Sequence, residues 1–169
     1  MKKLIVVLSL ALVIVAMAYQ PTVNLLDYKS ITYKVSIEDK TALATLQIDK
    51  TKSGYDVSYT VKFSVEEELE YDLFSLPYMY LMFSYVYNPG FQPFFQMIDI
   101  DNPTTVNMYG MKIVYEKDEK VGKYTGKRFS YYANDQKIFS WVVSKQVELV
   151  LKFEIPEQKY SAELVDFRK

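Results

Sequence analysis

The clearest pattern in the chain is Tyr55-Asp56-Val57-Ser58-Tyr59-Thr60-Val61-Lys62-Phe63-Ser64-Val65. Tyr55, Val57, Tyr59, Val61, Phe63 and Val65 fall on one side of a period of two, and the polar residues fall on the other. Side chains of an extended strand point alternately to opposite faces, so this spacing predicts a strand with one greasy and one wet face.

The same period runs toward the N-terminus. Ala42, Ala44, Leu46 and Ile48 alternate with Leu43, Thr45 and Gln47, and Ile31, Tyr33, Val35 and Ile37 alternate with Ser30, Thr32, Lys34 and Ser36. The connections, Glu38-Asp39-Lys40 and residues 49–54 ending in Gly54, are short. Short links between strands imply an antiparallel meander.

Toward the C-terminus the pattern changes. Glu66, Glu67, Glu68, Glu70 and Asp72 form an acidic collar. Its plainest reading is a solvated strand end whose charges sit well near a helix N-terminus. Residues 73–98 then carry no charge and hold nine aromatics. Burying nine such rings corresponds to about 14–27 kcal/mol, more than the net stability of a typical domain, about 5–15 kcal/mol. Water is not their steady neighbour. They belong in a core, against a partner or around an apolar ligand. Pro77, Pro89, Gly90 and Pro93 interrupt the run, which excludes a membrane span. Residues 75–87 suit a short helix, with Ser75 as N-cap, Pro77 in the first turn and Asn88-Pro89-Gly90 as the stop.

Asp99-Ile100-Asp101-Asn102 looks like the start of a calcium loop but lacks the glycine and the distal glutamate, so a turn closed by Pro103 is expected. Residues 104–109 and 111–116 read as strands, with Gly110 as a kink or bulge between them. Lys117-Asp118-Glu119-Lys120 reads as a charged turn. Residues 123–133, 137–144, 147–155 and 160–167 read as four more strands, with Asn134-Asp135 as a two-residue hairpin turn. The apolar parity changes at Leu164-Val165, which predicts a bulge. The fold class is therefore mainly β: a single curved antiparallel sheet, a half-open or closed barrel. A short apolar helical insertion covers its concave face.

Met1-Lys2-Lys3, the apolar run 4–15 and Ala16-Met17-Ala18 make the pattern of a secretory signal peptide. The expectation is a signal peptide over 1–18, cleaved after Ala18, and a single exported domain over 19–169, periplasmic or extracellular. Losing Lys2 and Lys3 takes the net charge from -1 to -3. Such a balance offers no basic face for nucleic acid. There is no cysteine and no histidine. Thiol nucleophiles, thiolate metal sites and the usual hydrolase triads are thereby excluded. No enzyme activity, no cofactor and no metal site are expected.

Gly122, Gly126, Tyr131-Tyr132, Trp141-Val142-Val143-Ser144-Lys145, Leu149-Val150-Leu151-Lys152-Phe153-Glu154, Tyr160 and Glu163-Leu164-Val165-Asp166-Phe167 follow one another in a recognisable order. This order resembles the C-terminal part of the periplasmic lipoprotein-carrier (LolA/LolB-like) superfamily. Lys145-Gln146-Val147 stands where that family has a Gly-Leu-Pro-like turn. The resemblance implies an unclosed β-barrel with helices as a lid over a cavity for acyl chains.

The residues lead by themselves to a binder of a lipid or other hydrophobic ligand, an acyl chain among them, because aromatic and Met linings adapt to flexible apolar chains. Tyr78, Tyr80, Phe83, Tyr87, Phe94 and Phe95 would line or gate the cavity, facing Tyr59, Phe63 and Trp141. Envelope proteins or a membrane surface are the further expected partners. The alternative reading is a cell-envelope interaction module or a carbohydrate-binding β-module, with exposed aromatics in a row on one face.

Overall fold

The computed structural model describes residues 24–63, 78–86, 88 and 90–169. The expected signal peptide, the acidic collar, Ser75, Pro77 and Tyr87 lie outside them. Among the described residues the strands are β1 (Ser30–Ile37), β2 (Lys40–Lys50), β3 (Tyr55–Phe63), β4 (Val106–Met108), β5 (Met111–Val121), β6 (Tyr124–Ala133), β7 (Gln136–Ser144), β8 (Val147–Ile155) and β9 (Tyr160–Arg168). Helices α1 (Tyr78–Val86) and α2 (Gln92–Gln96) separate β3 from β4. A 3-10 turn, Leu25–Asp27, precedes β1, and Asn24 caps it by accepting from the Leu26 N–H. No helix among the described residues is long and apolar enough to cross a membrane.

The strands form one antiparallel sheet in the order β3-β2-β1-β9-β8-β7-β6-β5-β4. Two meanders, β1–β3 and β4–β9, are stitched together where β9 pairs with β1. The sheet curves but does not close, so it is half-open, and among the described residues β3 and β4 are its edges. Hairpin chemistry fixes the second meander. Asn134 and Asp135 both have positive φ, as do Tyr109 and Gly110, the conformation that two-residue hairpin turns require. Gly110 is therefore part of a tight turn pairing Met108 with Met111, not a kink within a strand.

Lys117-Asp118-Glu119-Lys120 is not a turn. It lies inside β5, which runs on to Val121 and turns at Gly122, whose φ is positive. The charges survive in a strand because they find partners across it: Lys127 meets Asp118 and Arg128 meets Glu119. One residue earlier, Glu116 is looped out between the pairs Tyr115↔Phe129 and Lys117↔Arg128. The bulge at Leu164-Val165 is present. Register passes from Thr32↔Asp166 to Tyr33↔Leu164 and leaves Val165 unpaired and exposed.

The concave face holds the core. Ile31, Tyr33, Val35, Phe129, Phe139, Trp141, Phe153 and Ala162 are all buried there. Helix α1 lies over β1 and β2, where Ala42 and Ala44 keep the floor low. It buries Tyr78, Met79, Met82 and Val86. Helix α2 buries Phe95.

At Gly126 the curl brings backbone against side chains. A Cβ there would lie 2.6 Å from the Val143 carbonyl oxygen and 2.8 Å from Val142 Cγ1. Gly126→Ala should therefore cost about 1–3 kcal/mol by overpacking, read as a lower urea midpoint. An unchanged midpoint would mean that β6 and β7 are not this close.

Candidate functional site

The concave face is an aromatic layer centred on Phe139. Its ring lies 5.1 Å from Tyr131, 5.2 Å from Tyr85, 5.4 Å from Trp141 and Phe153, 5.6 Å from Phe91 and 6.4 Å from Phe95. Alternation places Phe139 and Trp141 on the same side of β7. The helices supply the opposing rings. Phe95 meets Trp141 edge-on at 5.1 Å, and Phe94 meets Tyr131 at 5.4 Å. Offset and edge-to-face geometries of this kind are the favourable ones. Trp141 is buried, and its indole N–H has no hydrogen-bond partner. An unsatisfied buried donor costs about 1–3 kcal/mol.

Two tyrosines dock the start of α1. The Tyr59 hydroxyl, from β3, accepts from the Met79 N–H at 3.2 Å. The Tyr160 hydroxyl, from β9, donates to the Tyr78 carbonyl at 2.6 Å. Burial raises the phenol pKa of both, and the Met79 N–H offsets part of the rise for Tyr59. Both stay neutral and act as hydrogen-bonding groups. They tie the first turn of the helix to strands on either side of β1.

The edge strand is different. Tyr55, Val57 and Tyr59 share the face that carries the core, since they pair with Lys50, Ile48 and Leu46 of β2. Yet they are 45, 60 and 50% exposed, and Tyr80, near the start of α1, is 72% exposed. An apolar strip thus continues the core face out to the open edge of the sheet.

Eight of the nine expected lining residues lie among the described residues, and they do not all share one place. Phe94, Phe95 and Trp141 come together in the aromatic layer. At the start of α1, Tyr59 holds the Met79 N–H, and Tyr78, itself buried, gives its carbonyl to Tyr160. Tyr80 points outward, Phe63 and Phe83 are half-buried against the core, and Tyr87 lies outside the described residues. Sequence reasoning missed Tyr55, Val57, Phe139, Tyr131 and Tyr160. The first two carry the same alternation as Tyr59, and Phe139 the same as Trp141, so the signal was there. Tyr160 has no local signal.

The convex face carries charge. Arg128 donates to Glu116 at 3.0 Å, to Glu119 at 2.9 Å, to Ser140 at 2.7 Å and to Glu154. Lys152 bridges Glu119 and Glu154, and Lys137 holds Glu116 at 2.8 Å. Burial works to raise the pKa of all three carboxylates, but the surrounding cations outweigh it. Glu116 is held down at about 2, chiefly by Lys137, with smaller contributions from the Ser130 hydroxyl and Arg128. Every carboxylate here is ionised and paired at neutral pH. The cluster clamps β5, β6, β7 and β8 and offers no protonated acid for catalysis.

A cleft of about 270 Å³, lined in part by Asp101, Asp118, Lys127 and Lys145, lies beside the turn at Asp99. Its charges are also paired, Lys127 with Asp118 and Lys145 with Asp101. The Asp99 carboxylate accepts from the Asp101 and Asn102 N–H groups at 2.8 and 3.2 Å, so it closes the turn. Among the described residues no group of three or more acidic side chains converges as metal ligands would. Known protein families, curated proteins and solved structures give no match to this chain.

The folded pKa of Glu116 lies below its ordinary 4.5, so its pairing stabilises the fold fully above that value and is lost as pH falls toward about 2. Glu116→Gln should lower stability at neutral pH and flatten the loss between about pH 5 and pH 2. Denaturant unfolding at several pH values measures this, and parallel curves for the two proteins would contradict it.

Proposed function

We propose that this protein binds a lipid or other apolar ligand with an extended hydrocarbon chain on the concave face of its sheet. Helices α1 and α2 cover the inner part of that face and the β3 strip forms the open part. The observation that carries this reading is the row Tyr55, Val57 and Tyr59, exposed on the face that elsewhere holds the core. Leaving such a row in water is unfavourable, and contiguous exposed apolar surface of this kind marks a binding surface. Val57 in the middle favours a hydrocarbon chain over a sugar, because sugars stack on flat rings.

The reading includes an exported carrier or chaperone-like role in the cell envelope. The N-terminal sequence pattern and the resemblance to lipoprotein carriers support that part. No catalytic step is proposed.

The second reading, a carbohydrate-binding or envelope-interaction module, is favoured by one observation. Tyr55 and Tyr59 stand four residues apart on one exposed face. At about 3.4 Å per residue their rings are spaced by roughly 13–14 Å.

Protein purified without detergent, extracted with organic solvent and analysed by mass spectrometry should release a stoichiometric lipid. Val57→Lys should lower fatty-acid uptake by about tenfold while the sheet's circular dichroism stays unchanged. A clean extract with no fatty-acid uptake contradicts the lipid reading. Polysaccharide binding that falls with Tyr55→Ala and Tyr59→Ala but tolerates Val57→Lys would establish the second reading.

A further inference from the structure

The two edges of the sheet are unlike. Edge strand β4 has three residues, Val106–Met108, which is one way to blunt an edge. Edge strand β3 has nine residues, Tyr55–Phe63, with no proline and no register break against β2. Long, regular, partly apolar edges are templates for another strand.

The hairpin fixes which backbone groups the edge presents. The Thr51 N–H donates to the Gly54 carbonyl at 3.0 Å, and Lys50↔Tyr55 is the next pair. Hydrogen-bonded and non-hydrogen-bonded pairs alternate in an antiparallel ladder. Asp56, Ser58, Thr60 and Lys62 therefore bond to β2. Tyr55, Val57, Tyr59 and Val61 turn their N–H and C=O groups away from β2. The Ile48 N–H, which faces β1 and donates to Lys29 at 2.9 Å, has the parity this requires.

The charges on β3 then specify a partner. Asp56 and Lys62 are its only charged residues; both are exposed, and each is three residues from Tyr59. We propose that β3 pairs antiparallel with β3 of a second copy of this chain, about a two-fold axis at Tyr59. In that register Tyr59 meets its own copy, and Val57 meets Val61 of the second copy. Both are outward-facing pairs, as a new ladder needs. Asp56 comes directly opposite Lys62 of the second copy, twice over, at the closely spaced non-hydrogen-bonded positions, where opposite charges attract most. A shift by two residues puts Asp56 opposite Thr60 or Ser64 and loses both ion pairs. A shift by one residue breaks the hydrogen-bond parity. The pairing also joins the two apolar strips into one continuous surface. It rests on the edge and its charges and holds whatever the strip binds.

Sedimentation of the purified protein tests this. A reversible dimer is expected. Asp56→Lys and Lys62→Asp should each weaken it by at least about tenfold, and the double exchange should restore it to within about threefold. Val57→Pro removes a donor that faces the open edge only, so it should give a folded monomer by circular dichroism. A wild-type protein that stays monomeric to about 100 μM overturns the proposal. So does a dimer indifferent to both single charge reversals.

Discussion

The packing of rings around Phe139 is the interaction on which the rest depends. Helices α1 and α2 have nine and five residues. Isolated helices below about 12–15 residues are marginal in water, so neither forms on its own propensity. They persist because Tyr85, Phe91 and Phe95 set their rings against Phe139, and Phe95 also sets its ring against Trp141. The dependence runs both ways. A curved sheet with a greasy concave face is not stable bare, and the helices are its cover.

The two faces of the sheet do different work. The concave face is held by apolar contact, with Tyr59 and Tyr160 positioning the start of α1 through their hydroxyls. The convex face of the second meander is held by charge, with Arg128 at the centre of three carboxylates. Pairing one charge with several opposite ones on neighbouring strands lets a charged run such as Lys117-Asp118-Glu119-Lys120 live inside a strand. The cover does not reach the whole concave face, and the strip on β3 is where apolar surface meets solvent.

Much of this was legible in the sequence wherever the cause is local. The period of two in β1–β3, the hairpin at Asn134-Asp135, the bulge at Leu164-Val165 and the break near Asn88 all follow from side-chain alternation or turn chemistry. The misses are non-local. Lys117-Asp118-Glu119-Lys120 looked like a turn because Arg128, Lys127 and Lys152, which satisfy it, are distant in sequence. Gly110 looked like a kink because its neighbour Tyr109 shares the positive φ only in the context of the Met108↔Met111 pair. Helix α2, Gln-Pro-Phe-Phe-Gln, is too short to show a period. The exposure of Tyr55 and Val57 depends on β3 being an edge, and strand order is not written in any one segment. The separation of Phe94, Phe95 and Trp141 in the aromatic layer from Tyr59 at the start of α1 belongs to the tertiary structure.

The central claim is that the open part of the concave face receives an apolar chain. Photo-crosslinking with a diazirine-bearing fatty acid, followed by mapping of the labelled residues, tests it most directly. Labels on Tyr55, Val57, Tyr59 and Tyr80, displaced by excess unlabelled lipid, are the predicted result. Labels scattered over the convex face, or labels that excess lipid does not displace, would contradict it.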